Sequence, residues 1–260
     1  MVLETLSDTE TVAEEILGVT ITTLVDNTTG TVGLHSVWGL SLHVEVEFPG
    51  RGEAVLFDTS GSAQVFRHNV KALNMDFSNL QAIVISHFHH DHFGAIESAL
   101  EMIGPSDLVA YLPGHHKALE DTFSQSHVRR IIGDSAHLIH SGISTTGALG
   151  KETLREQGLV VNIENYGLVV LTGCAHPGVR SLIRAAKRAF PMRPIHAVIG
   201  GFHLKTDEEG QKAGRLFLKE GVKVVSPCHC TNLKAKTAIR SVVGDAVYRE
   251  NGSGTQITIR

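Results

Sequence analysis

Cysteine is scarce in this chain, with Cys174, Cys228 and Cys230 the only three among 260 residues. Three cannot build a disulfide framework, and two of them flank a histidine without forming a spaced redox or zinc pair. That usage fits a reducing compartment. Long hydrophobic runs are missing too, since no segment approaches the ~18 apolar residues that span a bilayer. Residues 1–18 are acidic, with no basic start and no apolar stretch, so they do not read as a secretory signal. A cytoplasmic protein without membrane contact is expected. Positive charge is also short. The 23 Lys and Arg against 27 Asp and Glu leave a formal charge of −4, without the basic stripe of a nucleic-acid binder. Aromatic residues make up 5%, with a single tryptophan, Trp38.

Histidine is abundant instead, with 16 residues in a chain of otherwise ordinary globular composition. Near pH 7 a neutral imidazole offers a lone pair to a metal. Residues 82–94 read Ala-Ile-Val-Ile-Ser-His-Phe-His-His-Asp-His-Phe-Gly. An apolar run thus ends in four histidines and an aspartate, the donor types that bind zinc, iron or nickel. His87, His89 and Asp91 alternate, and in an extended chain they project to one side. His90 then points away, and His92 falls where the chain turns into a helix. The pattern predicts a metal site at the C-terminal end of a strand.

Two strand–helix arrays follow from the periodicity, with no linker between them. The first has strands at 19–26, 40–48 and 53–58 with a turn at 49–52. A helix at 62–73, a strand at 82–86, a helix at 94–102 and a strand at 108–112 complete it. Residues 114–150 predict a helix at 116–123 followed by loops. The second array has strands at 159–163 and 167–172, turning near Asn165, then a helix at 179–190. Strands at 196–199, 222–226 and 254–259 and helices at 207–220 and 233–243 end the chain. Two sheets packed face to face with helices outside are expected, a four-layer α/β/β/α sandwich in one domain over residues 1–260. Apolar strands end in polar clusters at Asp58-Thr59, His87–His92, Cys174–His176, His203 and Cys228–Cys230. Gathered on one edge, these clusters would share a cleft. Asp26 and Asn27 are expected to line it or to form a turn. Cys228 and Cys230 are expected to face away from His229, in packing roles. His115, His116, His127, His137 and His140 are assigned nothing, and Arg129-Arg130 reads as a solvated helix face, with a phosphate contact as its alternative.

Residues 86–94 resemble the His-x-His-x-Asp-His signature of the metallo-β-lactamase-fold superfamily, and Leu56-Phe57-Asp58-Thr59 is similar to its Asp-Thr-Gly strand end. The segments Thr172–Gly178, Gly200–Leu204 and Pro227–Thr231 are similar to its dihydropteroate-synthase-like branch of metal-dependent hydrolases. That branch includes dihydropterin-joining enzymes of methanopterin-type synthesis. The resemblance implies two divalent ions, zinc foremost, with iron, nickel or manganese as alternatives. By position it implies His87 and His89 at one ion, Asp91 and His92 at the other, and His229 completing the second. Relatives carry a bridging aspartate where this chain has Cys174. His176 is therefore expected as the third ligand of the first ion. Cys174 is expected either as a bridging thiolate or as a buried packing thiol. Asp58 is expected to orient a ligating histidine or to form a strand-end turn. Asp91 and His203 are the catalytic candidates, His203 for substrate binding or proton donation, with a core role as its alternative. Trp38 stands where relatives often carry a histidine, exchanging a polar substrate contact for apolar surface.

The expected function is a dinuclear metal-dependent hydrolase acting through a metal-bound hydroxide on a small phosphorylated or heterocyclic molecule. Its alternatives are a pterin transferase and a metal-binding or sensing protein without turnover. Small molecules are the expected partners, nucleic acid and membrane are not, and a homo-oligomer is compatible with everything above.

Overall fold

The computed structural model describes residues 14–260. Most of the segment weighed above as a leader lies outside them. The chain opens with β1 (Gly18–Val25), β2 (Ser41–Phe48) and β3 (Arg51–Phe57), then α1 (Ala63–Ala72), β4 (Leu80–Val84) and α2 (His90–Phe93). It continues through α3 (Ile96–Ile103), β5 (Val109–Leu112), α4 (Lys117–Gln125) and β6 (Arg129–Ile132). Four short strands follow: β7 (Leu138–His140), β8 (Ile143–Thr145), β9 (Leu149–Lys151) and β10 (Leu154–Glu156). The second array comprises β11 (Leu159–Ile163), β12 (Gly167–Thr172), α5 (Val179–Ala189), β13 (Ile195–Gly201) and α6 (Asp207–Glu220). It closes with β14 (Val224–Cys228), α7 (Leu233–Val243) and β15 (Gln256–Ile259).

Local chemistry sets several of these limits. The Ser62 side chain accepts the Val65 N–H and starts α1. Thr206 and Glu209 form a reciprocal capping box at the start of α6, and Gly221 ends that helix in the left-handed region. Pro49-Gly50 turns β2 into β3, with Gly50 at φ 80°.

The strands form a seven-stranded sheet, ordered β15-β1-β2-β3-β4-β5-β6, and a six-stranded sheet, ordered β14-β13-β12-β11-β8-β7. β3 through β6 run parallel, as do β12 through β14. Alternation sends neighbouring residues into different cores. Phe57 and Val84 join Val161, Leu171 and Ile199 between the two sheets. Leu56 and Ile83 turn outward against Phe66 of α1, Ala99 of α3 and Phe123 of α4. On the far side Val170 and Val198 meet Leu182, Phe217 and Ile239 of α5, α6 and α7. The layers are therefore α/β/β/α, as the periodicity predicts. No helix among the described residues is long and apolar enough to cross a membrane.

The expected loops after α4 instead form β6 to β9, and β10 follows just beyond them. Strands of three or four residues are too short to show a period of two, so their pairing is decided by the sheets they join. Arg129 and Arg130 lie on edge strand β6 and not on a helix, a charged edge that resists further pairing.

His43 on β2 is buried, and its Nε2 has no hydrogen-bond partner. Burial lowers its pKa from 6.5 to about 4. The unfolded chain therefore takes up a proton below pH 6.5 that the native chain refuses until about pH 4, and stability falls across that window. His43→Leu should flatten the pH dependence of urea unfolding there, removing a loss of up to about 3 kcal/mol. An unchanged slope between pH 6.5 and 4 would assign the loss to other groups.

Candidate metal centre

The parallel strands bring their C-terminal ends to one edge, and the loops leaving them carry polar clusters. Among the described residues, five of the nine non-glycine residues with positive φ lie in these loops: Asp58, Ser60, Ala175, His203 and His229. Backbone held in this region costs roughly 1–3 kcal/mol per residue and persists where surrounding structure enforces it. Gly173 is needed for closeness. A Cβ there would lie 2.1 Å from Ser86 Oγ, so the β4 and β12 loops meet only because it has none.

Two buried carboxylates hold the loops. Asp58 Oδ1 accepts the Ser86 N–H at 2.7 Å, and Oδ2 accepts the Ser86 hydroxyl at 2.6 Å. His92 directs Nδ1 to the same Oδ2 at 2.6 Å. Burial pushes the Asp58 carboxyl up to about 8, against the bonds from Ser86; a cation nearby would offset that cost. Glu156, at the end of β10, accepts the backbone N–H groups of Cys174, Ala175 and His176 at 2.8, 2.6 and 2.7 Å. Burial raises it to about 7 despite these three bonds. Beside it, the Gln157 side chain donates to the carbonyls of Ile85 and Tyr111, tying this loop to the first sheet.

The histidines are oriented from behind. His229 gives its backbone N–H to Asp26 Oδ1 at 2.6 Å and points Nδ1 at Asn27 Oδ1, 3.0 Å away. Asn27 Oδ1 also accepts the Gly39 N–H, and Nδ2 donates to the His229 carbonyl, which fixes the amide. Asp26 and Asn27 thus stand behind His229, and Asp26 is fully buried and accepts from Thr28 two residues on, the turn-forming role expected as its alternative. The expectation for Asp91 changes. His90–Phe93 is a helical turn, so Asp91 arrives by helix geometry and not by strand alternation.

With Asp58 ionised, as a nearby cation favours, the Nδ1 protons of His92 and His229 are committed and their Nε2 lone pairs face each other at 3.1 Å. Asp91 Oδ2 lies 3.3 Å from the same His229 nitrogen. The Ser86 proton goes to Asp58, so His87 donates Nδ1–H to Ser86 and turns a bare Nε2 toward His89 Nδ1 at 3.0 Å. His176 Nε2 is buried without a partner. One proton relieves one such contact, whereas divalent ions relieve all of them. The donor set therefore fits metal.

Ligand atoms converge within 4.8 Å in overlapping groups. One joins His87, His89 and His176, and another joins Asp91, His92 and His229. Cys174 is common to three more, with His87 and His92, with His176 and His203, and with His229 and Cys230. Its Sγ lies 3.4 Å from His92 Nε2. Burial, then neighbouring histidines, hold His87 and His92 far below the ordinary imidazole value. The same causes bring His176 to about 4. All three stay neutral at pH 7, with lone pairs free. Asp91 is held low despite burial, by His229 and His92. The Cys174 thiol is pushed up by its hydrogen bond with Cys230 and by burial.

His203 is exposed at the rim, its ring 4.6 Å from that of His176. Trp38 is 63% exposed and sits 5.1 Å from the His229 ring. His116 caps α4, accepting the Leu119 N–H. Cys228 packs in the core between the sheets, as expected. Cys230 does not face away. The chain leaves the extended form at His229, φ 48°, and Cys230 turns back into the cluster. Glu156 and Ser86 also went unread in the sequence, because a single acid before an apolar strand or a serine before a histidine carries no distinctive spacing.

No family model matches the chain. A curated relative, the 7,8-dihydropterin-6-methyl-4-(β-D-ribofuranosyl)-aminobenzene-5′-phosphate synthase of Methanocaldococcus jannaschii, is 27% identical over 241 residues. The match spans 76% of this chain and 82% of the relative. A solved metal-dependent hydrolase of the β-lactamase superfamily superposes with a TM-score of 0.70 at 25% identity, over 92% of this chain and 98% of its own. The chain belongs to the metallo-β-lactamase-fold superfamily. Human tRNase Z, short form, shares the superfamily fold at a TM-score of 0.59 and 16% identity, over the same shares of the two chains. Like these superfamily members the chain is an enzyme, and its fold and ligand clusters imply divalent metal ions.

If Asp58 and Glu156 hold the ligands in place, Asp58→Asn and Glu156→Gln should each lower zinc affinity by about 10–100-fold. Competition with a chromophoric chelator measures this, and wild-type affinity in both variants would remove the positioning role.

Proposed function

We propose that the chain uses a two-ion centre to transfer a dihydropterin to a phosphorylated aromatic amine of the ribofuranosylaminobenzene type. Zinc is the foremost ion. His87, His89 and His176 would hold one ion, Asp91, His92 and His229 the other, with Cys174 between them. The observation that carries this reading is the pair of converging ligand groups joined through Cys174. The archaeal relative, whose name specifies such a product, supplies the reaction. When bound, the ions supply Lewis acidity and neutralise developing negative charge.

The chain's own groups do the rest. A groove of about 570 Å³ opens beside His89, large enough for a small heterocycle. Phe88, Ile132 and Leu154 offer it apolar contact, while His115 and Arg155 offer hydrogen bonds to a charged end. On the other side the Trp38 ring gives a flat face for a heteroaromatic substrate. Exposed at the rim beside His176, His203 is placed to hand a proton to a leaving group. Asp91, ionised at neutral pH, accepts and positions. Strands of both sheets share one core, which supports treating the chain as a single domain.

Hydrolysis of a small phosphorylated or heterocyclic molecule is the second reading, favoured by the solved metal-dependent hydrolase. Incubating zinc-loaded protein with a dihydropterin diphosphate, with and without the aromatic amine, separates the two. Amine-dependent product formation is expected. Turnover that ignores the amine would replace transfer with hydrolysis, and no turnover of any phosphorylated or heterocyclic substrate would remove both.

Two variants test the residue roles. His203→Ala should lower kcat by about 100-fold or more with metal content unchanged. Trp38 is the only tryptophan, so a bound pterin should quench the protein's indole emission directly. Trp38→Leu should raise KM more than it lowers kcat. Unquenched emission at saturating pterin would place the substrate elsewhere.

A further inference from the structure

The second thiol of the cluster has no place in the two histidine-rich groups. Cys230 is buried, and its Sγ lies within 4.8 Å of the ligand atoms of both Cys174 and His229. In a tetrahedral zinc site, metal bonds of about 2.0–2.3 Å place ligand atoms roughly 3.3–3.8 Å apart, so little adjustment closes these three around one ion. Several features hold the sulfur there. The His203 backbone N–H donates to it at 3.2 Å, the kind of bond that stabilises a thiolate. Its own thiol reaches the Cys174 carbonyl at 3.7 Å. Gly201 makes the room, because a Cβ at that position would lie 2.7 Å from the Cys230 sulfur. His203 and His229 both take positive φ, and these turns bring the β13 and β14 loops around the sulfur.

Cys228 gives an internal comparison. Two residues earlier, at the end of β14, it packs among apolar side chains between the sheets. Hydrophobic burial alone therefore does not account for where Cys230 points.

We infer that Cys174 and Cys230, with His229, form a sulfur-bearing ligand set for a thiophilic divalent ion. The two thiols lose their protons to solvent when the ion binds, and no electron transfer is involved. Such a set selects zinc or cadmium over manganese, since thiolates favour soft ions and carboxylates hard ones. Cys230 would thus set which metal the centre takes. This inference rests on the metal-binding part of the proposed function and on neither reaction, so a sulfur-bearing centre in a protein without pterin transfer leaves it standing.

X-ray absorption at the zinc edge, on the zinc-loaded full-length chain, tests it without any assay. Two sulfur ligands per chain are expected; one or none would overturn it. With cobalt in place of zinc, Cys230→Ser should lose about half of the thiolate-to-cobalt charge-transfer absorbance, and Cys228→Ser should lose none. Cys230→Ser should also bind cadmium at least about tenfold more weakly while keeping its manganese affinity. Equal absorbance in wild type and Cys230→Ser, or equal loss for the two ions, would overturn the assignment. Should Cys230→Ser fail to fold, the sulfur count of the wild-type chain decides alone.

Discussion

Mutual repulsion among inward-facing lone pairs is the constraint around which the rest of this structure is arranged. His92 and His229 spend their Nδ1 protons on Asp58 and Asn27, leaving two bare nitrogens 3.1 Å apart. His87 is committed in the same way through Ser86. No hydrophobic core assembles imidazoles like this for its own stability, because burying polar nitrogens without partners is unfavourable. A cation turns the repulsive contacts into bonds. The hydrogen bonds behind each ring choose the tautomer that makes its inner nitrogen available.

The scaffold meets the cost of that arrangement from its two ordinary cores. Strained residues at Asp58, Ala175, His203 and His229 sit just beyond strands whose buried side chains are mostly apolar. Asp58 and Glu156 are carboxylates carried into the interior, where burial disfavours their charge, and each gathers several donors in return. The loops they hold come from different sheets. The site is therefore only as rigid as the packing between β4 and β12, where Gly173 removes the side chain that would keep them apart.

Sulfur runs through the overlapping ligand groups of this cluster. Cys174 occupies the position between the two histidine groups, and Cys230 adds a second sulfur beside it. A carboxylate and two thiols meet around shared histidines, and these donor types favour hard and soft ions respectively. Under the proposed transfer, Trp38 on one side and the groove beside His89 on the other would meet the two dissimilar ends of the substrate.

Periodicity and local motifs in the sequence determined the layers, most strands and helices, and the histidine cluster, because each depends on neighbours close along the chain. The helices α6 and α7 fall on the expected residues, and the alternating strands divide their side chains between cores as the pattern requires. The short strands β6 to β10 were not legible, since sheets formed elsewhere in the chain decide their pairing. Only the tertiary structure decided that Asp26 and Asn27 stand behind His229, that Glu156 holds the Cys174 loop, and that Cys230 turns inward. Each of these depends on a left-handed turn or on hydrogen bonds between residues distant along the chain. Side-chain alternation predicts direction only while the backbone stays extended, and at His229 it does not.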